Sequence, residues 1–487
     1  MATIFSFPDV LRTPAPRHSG RPLCVDLDGT LIRTDLLWES LVDVLTRRPW
    51  MVVMLPFWLL KGRARLKYEL GRRAQIAVNL LPYNAEVIAL LQREKHKGRE
   101  LLLVTAADRN LAEAVAANLG LFDEVLASGP NLNLKGEAKA RLLTELYGDR
   151  GFDYAGDSWA DLAVWSHCER ALVVSCDVSL VGGVDKVAGS CEQVALARPH
   201  PLRATMQAMR VYQWLKNCLV FVPVLVGHRW TDSGRWLDAG LAFASFSLVA
   251  SAVYVINDLF DLAQDRAHPD KRHRPFASGQ LPLSVGLALP LVLLTSAFVI
   301  ASMLAGSYSI WLAGYFAATC AYTFTLKHKL MADVAWLAML YTLRILAGGA
   351  ATNVVISPWL LGLSVFLFLS LAFVKRVSEL TRTGKDTRAY KVADMHLLSM
   401  MGIASGYLAA LVLALYINSP DVSKIYSTPQ LLWPICLVLV YWVSRVWVLT
   451  VRGALPHDPI LFALRDKASY ACLATAAALI VVARFWR

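Results

Sequence analysis

Charge is what this 487-residue sequence has least of. Asp, Glu, Lys and Arg together make up 18%, against about 25% in ordinary soluble chains. That shortage, with 56% hydrophobic residues and a mean hydropathy of +0.45, excludes a disordered or collagenous chain and a plain soluble protein. It points to a membrane protein with a soluble part. Paired cysteines are missing as well. Cys24, Cys168, Cys176, Cys191, Cys218, Cys320, Cys436 and Cys472 form no CxxC pair, and several lie in apolar runs. This argues against a zinc site and against a disulfide framework. Residues 1–21 hold no continuous apolar stretch of signal-peptide length, so the N-terminal part is expected to stay on the cytoplasmic side. Among the charges present, 49 Lys and Arg stand against 37 Asp and Glu, a net charge of +12. On a membrane protein this implies cytoplasmic loops, or a phosphate-rich substrate, ahead of nucleic acid.

The chain divides into two halves of different physics. Residues 1–198 alternate short apolar strands with amphipathic helical patterns, which predicts an α/β domain with a parallel sheet. Strands are expected at Leu23–Leu27, Glu100–Thr105, Phe152–Ala155 and Ala171–Val174. A basic, proline-containing stretch at Arg198–Arg203 marks the boundary. Residues 199–487 are dominated by uncharged runs; 281–326 and 345–374 hold no charged side chain. With about 20 residues needed per bilayer crossing, nine spans are expected, near 214–228, 237–256, 282–305, 309–326, 333–352, 357–374, 397–417, 426–444 and 468–484. The loops after the even-numbered spans carry nearly all the cations, among them Arg266, Lys271, Arg272, Arg274, Lys327, Lys329, Lys375, Arg376, Arg382 and Arg445. The opposite loops hold only Arg229, Arg235 and Lys424. By the positive-inside rule, the charge-rich loops and the N-terminal domain face the cytoplasm.

In the soluble half, Asp26-Leu27-Asp28-Gly29-Thr30 directly follows an apolar strand. Two carboxylates one residue apart at a strand end point the same way from the pleat. They are placed to share one Mg²⁺, with one attacking phosphorus and the other shuttling the leaving-group proton. Thr105 ends the next strand, Lys135 lies in Asn133-Leu134-Lys135-Gly136, and Gly156-Asp157-Ser158-Trp159-Ala160-Asp161 follows a third strand. These four pieces, in this order, resemble the haloacid dehalogenase (HAD) superfamily of phosphatases over nearly all of residues 20–178. The resemblance implies a Rossmann-like fold with Asp26 as nucleophile and Asp28 as general acid/base. It further implies that Thr105 and Lys135 hold the phosphate, and that Asp157 and Asp161 hold the metal. Residues 36–85 occupy the place of a helical cap. They contain an apolar run from Pro49-Trp50 to Leu60, then Lys61, Arg63, Arg65, Lys67, Arg72 and Arg73. Such a segment either packs only on its own core or sits at a membrane surface.

In the membrane half, Asn257-Asp258-Leu259-Phe260-Asp261-Leu262-Ala263-Gln264-Asp265-Arg266 follows the apolar run ending at Ile256. Asp258, Asp261 and Asp265 are spaced to line one helix face. Carboxylates converging there repel unless a positive charge sits among them, and a divalent ion holding a diphosphate meets that need. His268, Lys271, Arg272, His273 and Arg274 follow, a cluster suited to phosphate.

The NDxxDxxxD pattern resembles the UbiA-type intramembrane prenyltransferase superfamily over roughly residues 203–487. That superfamily is all-helical, with nine spans around a lipid-open cavity, and Asn257 and the three aspartates would be its metal site. Most members carry a second acidic motif, DxxxD; here only Asp261 and Asp265, within the first motif, are four apart, so a separate second motif is missing. Gln213-Trp214-Leu215-Lys216-Asn217, Tyr322 with Lys327 and Asp333, Arg344, and Lys375-Arg376-x-x-Glu379-Leu380 narrow the resemblance to the decaprenyl-phosphate phosphoribosyltransferase branch. Members of that branch move ribose 5-phosphate from phosphoribosyl pyrophosphate (PRPP) onto a polyprenyl phosphate. The resemblance implies phosphate or substrate contacts for Lys216, Asn217, Arg266, Lys271, Arg272, Arg274, Tyr322, Lys327, Asp333, Arg344, Lys375, Arg376, Glu379 and Arg388. Lys375 and Arg376 also fit topology-setting loop charges, and Lys216 a snorkelling side chain.

The sequence therefore predicts a bifunctional, Mg²⁺-dependent enzyme of the cytoplasmic (inner) membrane. A HAD domain over 1–198, with its cap over 36–85, precedes a polytopic UbiA-like domain over 199–487. The expected partners are PRPP, a polyprenyl phosphate and the membrane, with no nucleic acid. The alternative expectation is prenyl transfer to an aromatic or other small acceptor.

Overall fold

The computed structural model describes residues 20–129, 133–194, 200–387, 389–455, 459–463 and 465–485. Six parallel strands, β1 (Leu23–Val25), β2 (Leu101–Asp108), β3 (Glu124–Ser128), β4 (Asp153–Gly156), β5 (Arg170–Val173) and β6 (Ser190–Gln193), form one sheet in the order β3-β2-β1-β4-β5-β6. The strand interiors are apolar because helices cover both faces of a parallel sheet. Leu23, Val25, Leu101 and Leu103 belong to one core layer, whereas Cys24, Leu102, Val104 and Tyr154 belong to the other. The order reverses between β1 and β4, and ligands of doubly wound sheets bind beyond the carboxyl ends of strands at such a switch point. Asp26 and Asp157 are the first residues beyond those two ends.

Two expected strands need adjustment. β1 ends at Val25, not Leu27, and β2 runs to Asp108 with a register shift after Thr105. β3 and β6 were not expected; β6 is largely exposed and carries no apolar alternation.

The described chain forms two compact units. One takes in the chain up to Met209 together with Val255–Leu289, and the other spans Arg210–Tyr254 and Pro290–Arg487. In the first unit, the helix Leu36–Arg47 sends Val42 and Trp38 against Leu259, Leu262, Phe276 and Ala277. At the centre of that contact, both oxygens of Glu39 accept from the Arg266 guanidinium, at 3.0 and 2.6 Å, with both side chains buried. Thr34 Oγ1 donates to Glu39 at 2.8 Å, and the Arg266 Nε donates to the Ala277 carbonyl. The acid-rich segment thus packs with the α/β fold.

The second unit is helical. Among the described residues of the whole chain, seven helices are long and apolar enough to cross a membrane: Ser233–Phe260, Leu283–Ala301, Ala332–Thr352, Pro358–Thr383, Val392–Ile417, Pro429–Val451 and Lys467–Phe485. They correspond to seven of the nine expected spans. The first expected span is instead a tight 3₁₀ segment, Val211–Phe221, followed by the short helix Val222–Val226. The fourth is a 19-residue helix, Gly306–Phe324, whose Tyr308, Tyr315 and Tyr322 and several small polar residues lower its apolarity.

The Glu39–Arg266 contact yields a stability prediction. Removing one partner of a buried pair strands the other charge and costs about 3–5 kcal/mol, whereas apolar replacement of both costs far less. Glu39→Ala and Arg266→Ala should therefore each lower the thermal unfolding midpoint in detergent markedly. Glu39→Leu/Arg266→Met should recover most of the loss, and Lys424→Ala, in an exposed pair, should leave the midpoint nearly unchanged.

Candidate active sites

At the switch point, three carboxylates converge: Asp26, Asp157 and Asp161 each place a ligand oxygen within 4.8 Å of the other two. An all-oxygen set of this kind suits Mg²⁺. Asp26 is fixed by its backbone N–H on the Ala155 carbonyl at 2.9 Å and by the Leu27 N–H on its own Oδ1 at 2.8 Å. Asp161 accepts from Ser158 Oγ at 3.0 Å and Tyr154 Oη at 2.9 Å. Gly29, at φ +80°, lies against the Asp157 carboxylate, where any Cβ would collide; the loop needs glycine there.

The lysine of this site is Lys139. Its buried Nζ donates to Asp26 Oδ1 at 3.0 Å and to Tyr154 Oη at 2.7 Å, and it lies 3.7 Å from Asp161. Lys135, expected to hold the phosphate, is exposed. The reason is helical geometry: Glu137–Tyr147 turns Lys139 inward together with Ala140, Leu142 and Leu143. A lone lysine on the apolar face of that helix was the signal in the sequence.

Asp28 also departs from expectation. Because β1 stops at Val25, the strand alternation does not extend to Asp28, and its carboxylate accepts from the Leu36 N–H at 2.8 Å instead of joining the three-carboxylate cluster. Burial, reinforced by Asp35, holds its carboxyl well above the usual range. That suits a proton donor. Burial also pushes Asp26 up to about 6, with Asp161 adding to the rise and Lys139 opposing it. Burial pulls the Lys139 ammonium down, but Asp26 and Asp161 outweigh it and hold the group above its ordinary value. Thr105 is fully buried, its Oγ1 accepting from the Ala107 N–H.

A second lysine reaches this site from the cap. Lys67, on the helix Arg63–Gly71, donates to the Ala106 carbonyl at 2.8 Å and lines a cavity of about 10 Å³ with Asp28, Ser40 and Asp108. Nothing in the sequence separates Lys67 from its cationic neighbours.

In the acid-rich segment the transmembrane helix ends at Phe260, and Asp261 begins the helix Leu262–Ala267. Asn257 Nδ2 donates to Asp261 Oδ2 at 3.0 Å. Asp258 and Asp265 are both buried, and one nitrogen of Arg274 lies 3.0 Å from the first and 2.6 Å from the second. Arg274, expected on a phosphate, thus supplies the positive charge between the carboxylates. Arg266, also expected on a phosphate, is bound to Glu39. Burial raises the Asp265 carboxyl against the pull of Arg274. Lys271 and Arg272 are exposed.

The second unit holds two further clusters. Arg376 donates two bonds to the fully buried Asp333, one to Tyr322 Oη at 2.9 Å and one to Glu379; Tyr322 also donates to Asp333 at 2.8 Å. Farther along the Asp333-bearing helix, Arg344 donates to Asn217 Oδ1 at 2.9 Å and Tyr315 Oη at 2.8 Å, and Asn217 donates to Ser247 at 3.0 Å. Lys216 is buried, and Lys327 and Lys375 are half-buried. Arg388 lies outside the described residues.

Two outcomes follow for the carboxylate cluster. Ligation requires ionised carboxyls, so Mg²⁺ binding followed by calorimetry should weaken by about tenfold per pH unit below 6, and Asp161→Asn should remove that component. Lys139→Met should lower the turnover of any hydrolysis carried out at this site by about 10²- to 10³-fold, as expected for a lost electrostatic stabiliser.

Residues 220–465 match the UbiA prenyltransferase family, and residues 23–165 match the haloacid dehalogenase-like hydrolases. The chain is 36% identical over 457 residues to the uncharacterized protein y4nM of Sinorhizobium fredii, covering 92% of this chain and 88% of that protein. It is 36% identical over 282 residues to nodulation protein NoeC of Azorhizobium caulinodans, covering 56% and 91% respectively. The same identity over 205 residues relates it to decaprenyl-phosphate phosphoribosyltransferase of Mycobacterium tuberculosis, covering 40% and 68%. Shared across nearly its whole length with y4nM, the architecture is that of an integral membrane protein: the chain belongs to the UbiA prenyltransferase family and carries a haloacid dehalogenase-like hydrolase domain ahead of its membrane portion.

Proposed function

We propose that the membrane portion transfers 5-phosphoribose from PRPP to a polyprenyl phosphate, and that the HAD domain then removes the 5-phosphate from the product. The topology belonging to this reading is nine-pass, in the cytoplasmic membrane, with the HAD domain on the cytoplasmic side. The cation-rich loops after the even-numbered spans support it. The observation that carries the chemistry is the Asp333–Arg376 fork. A carboxylate of the second unit is neutralised by arginine and a tyrosine rather than set aside for a second metal. That arrangement, with the missing DxxxD motif, suits a reaction whose sugar donor, not its lipid, carries the diphosphate.

In the transfer, an oxygen of the lipid phosphate bonds to the anomeric carbon as the bond from that carbon to pyrophosphate breaks. Bound Mg²⁺ would supply positive charge for the departing pyrophosphate. Asn257, Asp258, Asp261 and Asp265 would hold it, a reading supported by the guanidinium of Arg274 that lies between Asp258 and Asp265. Lys271 and Arg272 offer charge to phosphate, as do Lys216, Lys327, Arg344 and Lys375. Arg376 is oriented by Asp333, Tyr322 and Glu379.

In the hydrolysis, an Asp26 oxygen attacks phosphorus, the bond to the ribose 5-oxygen breaks, and Asp28 gives that oxygen its proton. Water then attacks the aspartyl phosphate while Asp28 takes the proton back, freeing phosphate and Asp26. Lys139, Lys67 and Thr105 steady the phosphate charge. Asp26, Asp157 and Asp161 would hold Mg²⁺. Removing the phosphate draws the first reaction forward.

The test combines purified protein, labelled PRPP, polyprenyl phosphate and Mg²⁺, with lipids followed by mass spectrometry. Wild type should yield the dephosphorylated ribosyl lipid and inorganic phosphate. Asp26→Asn should accumulate the lipid still bearing its 5-phosphate, and Asp258→Asn should lower lipid labelling by about 100-fold or more. Prenyl transfer to an aromatic acid without ribosyl transfer would overturn the reading.

A further inference from the structure

The cap exposes more apolar surface than its own fold uses. From the end of Leu36–Arg47 the chain enters a finger built of the 3₁₀ turn Pro49–Met54 and the helix Leu55–Leu60. One side of it packs inward, with Met51, Leu55 and Trp58 against Val44 and Leu70. The other side presents Trp50 at 64%, Phe57 at 59% and Leu60 at 85% exposure, with Val52, Val53 and Leu59 beside them. A contiguous patch of this kind marks a contact surface.

Three observations say what covers it. The first is charge: Lys61, Arg65 and Arg72 are exposed at the base of the patch, and Arg73 stacks over the Trp58 ring at 4.9 Å. The buried Glu69 pairs with Arg65 and Arg73, and no other acid lies between residues 49 and 75. Apolar and aromatic tips rimmed by cations match an anionic headgroup–acyl boundary. The second is depth. Thr46 and Arg47, at the root of the finger, line the same cleft of about 300 Å³ as Phe260, Ala263 and Gln264, and Phe260 is the last residue of a membrane-crossing helix. The root of the finger therefore lies beside the end of that helix. The third is continuity with the hydrolase site. The helix that follows the finger delivers Lys67 to the Ala106 carbonyl, and its last residue, Gly71, abuts Asp108 so closely that no Cβ fits.

We infer that the finger Pro49–Leu60 is an interfacial anchor: Trp50, Phe57 and Leu60 insert into the lipid bilayer surface, and the cap thereby holds the hydrolase cavity at that surface. The inference depends on membership of an integral membrane family and not on which sugar or lipid is processed. Its occupant is lipid, not a second copy of the chain.

The test uses the full chain in nanodiscs of phosphatidylethanolamine and phosphatidylglycerol, with photoreactive p-benzoylphenylalanine placed singly at Leu60, Phe57 or Val178. Val178 is 80% exposed on the hydrolase domain and serves as the control. After irradiation, mass spectrometry should find phospholipid adducts at positions 60 and 57 and none at 178. Adducts to protein at both finger positions, whether to a second copy or within the same chain, would overturn the inference, as would equal lipid labelling at all three positions. Unchanged thermal unfolding midpoints establish that each variant is folded.

Discussion

Glu39 and Arg266 stand 227 residues apart in the chain and meet in a buried, two-pronged ion pair. Much of the first unit depends on that meeting. Glu39 sits on the first long helix after the Asp26–Thr30 loop, and Thr34, which donates to it, also supplies the carbonyl that receives the Gly29 N–H at 3.1 Å. Arg266 lies one residue beyond Asp265. A chain of direct contacts therefore runs from the hydrolase loop to the acid-rich segment. A buried pair of this kind is a weak source of net stability but selects one packing over near alternatives, because any slip of the helix strands a charge in an apolar layer made by Val42, Leu259, Leu262 and Phe276.

Elsewhere the same rule recurs: charges removed from water are matched before any substrate arrives. Lys139 answers Asp26 and Asp161, Arg274 answers Asp258 and Asp265, and Arg376 answers Asp333 and Glu379. In the first cluster the carboxylates are those suited to a divalent ion, and in the second an arginine already stands between two of them. In the third the fork is closed around an arginine with a tyrosine completing it, which is a fixed positive group held in place rather than an acidic one held open.

Legibility in the sequence followed local periodicity. The charge-free runs and the apolar strand before Asp26 were readable because burial on all sides, or at a sheet centre, leaves an unbroken apolar record. The three metal-suited aspartates of the hydrolase site were readable because each follows a strand or its turn. Asp28 was misplaced because the strand ends at Val25, two residues early, so the alternation of the pleat could not be carried on to Asp28. Lys139 was passed over for Lys135, although helical spacing on Glu137–Tyr147 pointed inward at Lys139. Glu39–Arg266 and Lys67 were beyond reach, since both depend on tertiary contacts with no local pattern. Asp258, Asp261 and Asp265 were found as a stripe, but the guanidinium between Asp258 and Asp265 comes from a turn nine residues past the last.

The Asp333–Arg376 fork also constrains how the protein is made. Asp333 opens one apolar helix, Ala332–Thr352, and Arg376 lies near the end of the next, Pro358–Thr383, with only five residues between the two helices. Either charge alone disfavours insertion of its helix, by up to about 2.5–3.5 kcal/mol at the bilayer centre. Joined by a short connection, the two helices run antiparallel and bring the charges to the same end. Release into lipid one at a time would expose each charge in turn, whereas release as a pre-paired hairpin exposes neither. The order in which the ribosome delivers these segments thus makes the hairpin the natural unit of insertion during biogenesis.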